Sequence, residues 1–256
     1  MFIKCSMRNR IISTVPSLTE LLYHLGLQEE VIGITKYCVH PNHWATEKNI
    51  IGGTKNLNLD LIESLNPTLI IANKEENVKE QIEYLQSKFK VLITDIKDYD
   101  DALEAILKIG RITNCSEKSK HLTQEIEQLA SSCNANFNYQ SFLYFIWRKP
   151  YMIAGDDTFI NAICNKLKLR NLAMQNRYPE INLDKIVYLS PDIIFLSSEP
   201  FPFKEKHINE LQSHLPYTKI VLVDGEMFSW YGSRMLEAFP YFQHLAKILA
   251  NSGMTV

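Results

Sequence analysis

The chain has 256 residues, of which 46% are apolar and 22% charged, and its formal net charge is −2. That length suits one large domain or two small ones, with the composition of an ordinary globular protein. The near-neutral balance and the absence of any run of like charge argue against nucleic acid or an anionic membrane surface as partner. No apolar stretch approaches the ~20 residues that a membrane-spanning helix needs.

In chain order, Met1–Arg10 carries Lys4, Arg8 and Arg10 but no apolar stretch. It is not expected to act as an export signal, which leaves two readings open: a cytosolic chain, or an export signal missing from this version of the sequence. Cysteines 5, 38, 115, 133 and 164 are odd in number and contain no C-x-x-C pair, so no disulfide framework is expected. Arg10–Thr14 reads as a strand, Thr19–Leu25 as a helix and Val31–Thr35 as a second strand, an alternation that predicts parallel βαβ units. Ser17 or Thr19 is the expected N-cap, with Glu20 in the first turn. Gly52-Gly53-Thr54-Lys55 lacks the spacing of a phosphate-binding loop and reads as a turn.

Two later segments match. Asn58–Ile71 is NLDLIESLNPTLII and Asn182–Phe195 is NLDKIVYLSPDIIF, with seven of fourteen positions identical at an offset of 124. Each predicts a short helix, a proline that ends it, and a buried strand. Downstream, IEYLQS at 82–87 answers INELQS at 208–213, and a strand then an aspartate (Asp95, Asp224) follow both. The chain is therefore expected to be α/β, built as two similar parallel-sheet lobes. Between the copies, Asp101–Ile112 and Ser116–Ser131 read as helices, the second spanning about 24 Å at ~1.5 Å per residue. This long helix is expected to join the lobes rigidly. The expected division is 1–97 for the first lobe, 98–135 for the connecting helices and 136–256 for the second lobe.

Ligands of parallel sheets bind beyond the carboxyl ends of the strands. Those loops hold many aromatic residues: Tyr37, Trp44, Trp147, Tyr151, Tyr178, Phe201, Phe203, Phe228, Trp230 and Tyr231. Aromatic side chains there are candidates to line a cleft for a large, flat or macrocyclic ligand; the alternative is that they pack the lobes together. Lys36, Glu75, Glu76, Arg148, Lys149, Arg177, Glu180 and Glu226 share the loops and supply orienting polar groups, without forming a catalytic constellation. There is no G-x-S-x-G elbow, and no enzyme activity is expected. Cys38, His40 and His43 are the candidate metal ligands, since thiolate and imidazole suit zinc or a soft transition metal. Their spacing matches no closed structural site. A cytosolic metal-binding enzyme or metallochaperone is the rival class, because fold alone does not fix function.

VPSLTELLYHLG at 15–26, ITKYCVHP at 34–41, IGGTKNLNLDLIESLNPTLIIANKEEN, FIWRKPYMIAGDDTFI, RYPEINLDKI, SSEPFPF and DGEMFSWYGSR occur in that order. Together they resemble the cobalamin-binding branch of the periplasmic cobalamin- and iron-siderophore-binding proteins, the helical-backbone metal receptors of ABC importers. The resemblance covers roughly residues 10–250. It implies two α/β lobes joined by a rigid helix, with a ligand cleft between them. It also implies a periplasmic location and a monomer with no intrinsic cofactor. The ligand would be a metal chelate, cobalamin or another corrinoid first, an iron-siderophore or haem second. Ligand contacts are expected from Tyr37, Cys38, Glu76, Trp147, Arg148, Tyr178, Phe228, Trp230 and Tyr231. Asn73 stands where the cobalamin binders carry an aromatic residue. Asp60 and Asp184, the third residues of the two NLD segments, fall at the positions that dock onto arginines of the ABC importer permease, where the cobalamin-binding protein has glutamate.

Overall fold

The computed structural model describes residues 9–135, 137–138 and 140–251. Cys5 and nearly all of Met1–Arg10 lie outside them. The chain divides into two compact units, one comprising the residues up to Ile96, Asp101–Gln124 and Tyr231–Ser233, the other Lys97–Asp100, Glu125–Trp230 and the residues from Arg234 on. The helices Tyr99–Ile112 and Ser116–Ser132 each contribute residues to both units.

The first unit holds a five-stranded, all-parallel sheet in the order Asn49–Ile50, Val31–Ile34, Ile11–Ser13, Leu69–Asn73, Val91–Thr94. Ile11–Ser13 and Leu69–Asn73 are buried throughout. They are short apolar runs of the kind a parallel sheet covered on both faces demands. Ile12, Ile51, Ile62, Ile70, Ala72 and Leu85 form one side of the core. Chain order reverses between Ile11–Ser13 and Leu69–Asn73, and such a switch point is where a doubly wound sheet opens a crevice for ligand. Gly52–Gly53 pairs antiparallel with Asn56–Leu57, so the expected turn is a tight hairpin.

The first helix runs Pro16–His24 and starts earlier than its sequence pattern suggests. Its N-cap is Val15, and Pro16 occupies the first turn. Proline is preorganised there because its fixed φ is helical and its missing N–H would go unused. Neither Ser17 nor Thr19 caps the helix. Thr19 instead donates through Oγ1 to the Val15 carbonyl at 2.9 Å and to Ser13 Oγ at 2.8 Å.

The second unit is built on Ser141–Trp147. This strand pairs in parallel with Ile193–Ser197 and Arg170–Asn171, and antiparallel with Tyr151–Ile153. Ile193–Ser197 pairs in parallel with Lys219–Val223, and Glu180–Ile181 closes the far edge antiparallel to Tyr151–Ile153. Leu143, Phe145, Ile186, Ile194, Leu196 and Leu211 lie in its core. The duplicated segments give duplicated structure. Helix Leu59–Ser64 leads to strand Leu69–Asn73, and helix Leu183–Leu189 leads to strand Ile193–Ser197. IEYLQS and INELQS each close a helix, Lys79–Gln86 and Glu205–Gln212, with the final serine as its C-cap.

Candidate ligand-binding site

In the first unit, two asparagines shape the carboxyl edge of the sheet. Asn73 is buried, and its Oδ1 accepts from the backbone N–H groups of Glu75 and Glu76 at 2.8 and 3.1 Å, while its Nδ2 donates to Thr94 Oγ1. Asn77 Oδ1 accepts from Thr14 Oγ1 at 2.8 Å and from Asn73 N at 2.9 Å. The loop carrying Glu75 and Glu76 is thereby held at both ends. Asn73 is a scaffold residue whose amide is spent on this loop and on Thr94. Glu76 accepts the Tyr231 hydroxyl proton at 2.7 Å. Tyr231 itself is buried, and burial, reinforced by the charge of Glu76, holds its phenol well above the usual range. Its polar end is therefore committed to protein.

Tyr37 is different. It is 52% exposed on the loop after Val31–Ile34, with the Lys36 ammonium 5.1 Å from its ring centroid. Cys38, next in the chain, turns inward. Its sulfur lies 3.1 Å from Thr19 Oγ1 and 3.2 Å from Thr35 Oγ1, and burial pushes its thiol up. A thiol kept protonated and enclosed by hydroxyls is a poor metal ligand. His43 sits edge-on to Tyr23 with centroids 5.7 Å apart, and Nε2 is 4.0 Å from Glu47. Among the described residues no three His, Cys, Asp or Glu side chains converge as a metal site, so Cys38, His40 and His43 are not brought together as one. Trp44 also faces inward. It is buried against Tyr23, with ring centroids 5.4 Å apart.

In the second unit, Trp147 ends the central strand and is 41% exposed. Its ring meets Phe201 edge-on at 5.8 Å, and Phe201 meets Phe203 at 4.8 Å. Arg148 donates from Nη2 to both Glu210 oxygens, at 2.9 and 2.6 Å, and the Tyr151 hydroxyl donates to Glu210 Oε1 at 3.2 Å. Burial pushes the Glu210 carboxyl up, but Arg148 and Tyr151 outweigh it and hold it below the usual range. Tyr178 is half-buried.

Phe228 is a core residue and lines no open surface. It is fully buried, with Phe242 at 4.8 Å, Tyr144 at 5.1 Å and Phe195 at 5.6 Å between ring centroids. The helix Gly225–Ser229, capped by Asp224, turns it inward. Trp230 follows this helix and is held on two sides. Its Nε1 donates to Glu199 Oε1 at 2.9 Å, and the Arg234 guanidinium lies 5.4 Å over its ring. Ser229 Oγ donates to the same Glu199 oxygen at 3.0 Å. Glu199 and Glu210 were not among the residues expected from sequence. Only the SSEPFPF segment hinted at the first, and nothing local pointed to the second.

The profile of the periplasmic binding proteins matches residues 11–220. The chain belongs to the periplasmic binding protein family. Among its relatives, this binding protein is 25% identical over 247 residues to the ABC transporter substrate-binding lipoprotein YvrC of Bacillus subtilis, covering 89% of this chain and 76% of that one. It is 24% identical over 195 residues to the vitamin B12-binding protein of Vibrio cholerae, covering 73% and 70%. In fold it is similar to the periplasmic vitamin B12 binding protein BtuF of Vibrio cholerae, with a TM-score of 0.80, 20% identity and coverage of 95% and 98%. It is equally similar to the periplasmic heme-binding protein RhuT of Roseiflexus sp. RS-1, with a TM-score of 0.81, 18% identity and coverage of 94% and 99%. The relatives are binding proteins. No helix among the described residues of this binding protein is long and apolar enough to cross a membrane.

Proposed function

We propose that this binding protein is the substrate receptor of an ABC importer, and that its cargo is a metal chelate, cobalamin or a related corrinoid first, an iron-siderophore or haem second. It acts outside the cytoplasmic membrane, binds without catalysis and delivers cargo to a permease. The observation that carries the reading is the pair Tyr37 and Trp147. Each is a large aromatic side chain left open at the carboxyl edge of its own unit's sheet, in a fold whose other strand-end aromatics are mostly turned inward. Open rings at the carboxyl edge of a sheet suit stacking against a flat macrocycle, where burial of apolar surface supplies most of the affinity. The likeness to a vitamin B12-binding protein of Vibrio cholerae supports a corrinoid as the first candidate. The heme-binding neighbours in fold keep haem as the second candidate.

The test is titration with cyanocobalamin, cobinamide, ferric siderophores and haem, followed by tryptophan fluorescence. At least one should bind tighter than ~100 µM, about −5.5 kcal/mol. Tyr37→Ala and Trp147→Ala should each weaken that ligand about tenfold, ~1.4 kcal/mol. If no chelate reaches that affinity, the transport reading fails.

A further inference from the structure

Lys36 and Tyr37 form a unit of their own at the edge of the first sheet. The Lys36 ammonium lies over the Tyr37 ring, and both side chains lean on Gly53 of the neighbouring hairpin. A Cβ at Gly53 would stand 3.0 Å from Tyr37 Cε2 and 3.4 Å from Lys36 Cε, so the bare backbone is what seats the pair. Two other lysines of this unit have polar partners. Lys74 is 2.7 Å from Asp95, and Lys55 donates to the Glu75 carbonyl at 2.7 Å. Among the described residues no carboxylate pairs with Lys36, and its ammonium rests over the Tyr37 ring. The neighbouring Glu76 is engaged by Tyr231.

A lone exposed lysine is ordinary solvated surface. A lysine seated on a glycine, held above an open aromatic ring and lacking a carboxylate, is a charge waiting beside a stacking platform. We propose that Lys36 is a specificity-determining residue that selects ligands bearing an anionic substituent, a carboxylate or a phosphate, beside an apolar face that stacks on Tyr37. This rests on the reading of the chain as a ligand receptor and narrows its cargo to anion-bearing chelates. The ammonium is a compact point charge with three donors on a flexible stem, so it follows the anion without demanding one fixed geometry.

The charge selection is tested on the full chain with two metal-free porphyrins of matched size, one bearing sulfonates and the other N-methylpyridinium groups. The wild type should prefer the sulfonated ring by about tenfold or more. Lys36→Gln should remove most of that preference, Lys36→Arg should keep it, and NaCl raised from ~0.05 to ~0.3 M should shrink it. A wild type that binds neither porphyrin, or both alike, overturns the proposal, and so does a Lys36→Gln protein with unchanged preference.

The source of the anion follows from cyanocobalamin, which carries a phosphodiester, cobinamide, which lacks it, and haem, which carries carboxylates. A Lys36→Gln loss confined to cyanocobalamin supports phosphate, and a loss confined to haem supports carboxylate. An equal loss on cobinamide overturns the proposal. If no chelate binds the wild type while the porphyrin preference holds, the transport reading falls and the charge selection stands.

Discussion

At Glu199 burial and hydrogen bonding pull in opposite directions. Burial raises its carboxyl, Ser229 and Trp230 lower it through hydrogen bonds, and the charges of Glu226 and Asp224 raise it again, leaving it above the usual range. An acid whose pKa is raised on folding binds its proton more tightly in the folded state. Its contribution to stability is complete below its unfolded value of about 4.3 and is lost as pH rises through the folded value. Glu199→Gln keeps an oxygen to accept the Trp230 indole N–H and removes the charge. The variant should therefore be at least as stable as wild type at pH 7 in urea denaturation, with the difference vanishing near pH 4. A glutamine variant less stable at pH 7 than at pH 4, relative to wild type, would show that the ionised carboxylate is the favoured form. Residue identity alone did not reveal this role. Nor did it separate Tyr37 from Cys38: adjacent in sequence, one faces solvent and the other is enclosed by Thr19 and Thr35.

Among the elements, the helices Leu59–Ser64 and Leu183–Leu189 show how much a local sequence specifies. Asn58 Oδ1 accepts from Leu61 N at 3.1 Å and Asn182 Oδ1 from Lys185 N at 2.9 Å, so the repeated N-L-D is a repeated N-cap. Asn182→Ala should cost about 1 kcal/mol, and Asn182→Asp or Asn182→Ser much less, read from the urea midpoint. A negligible loss in the alanine variant would mean that packing of Ile186 alone holds the helix. These elements were legible because capping, proline and apolar runs act within a few residues. The start of the first helix is not legible locally, because Pro16 can either end a strand or begin a helix, and here Thr19 hydrogen-bonds back to Ser13 and to the Val15 carbonyl.

For the whole molecule, we propose that the matched pair Asp60 and Asp184 docks the receptor onto its permease. Both are exposed, and both lie in the first turn of the duplicated helices. Their local effect is small, a favourable interaction with the helix dipole of ~0.3–1 kcal/mol. Asp60→Asn with Asp184→Asn should therefore leave chelate affinity unchanged and stability nearly so. It should abolish uptake, and ATPase stimulation of the reconstituted importer. Full uptake by the double variant would remove these residues from the interface.

The sequence by itself determined the α/β class, the doubling of one helix–strand unit and the family, because hydrophobic period, capping residues and repeated motifs are local signals. Only the tertiary structure decided which of the strand-end aromatics stay open. Trp44 and Phe228 sit in short segments that read like those of Tyr37 and Trp147, but they are buried by Tyr23 and by Phe195 and Phe242. Burial depends on partners far away in the chain, and a side chain's neighbours exist only once the sheets have assembled.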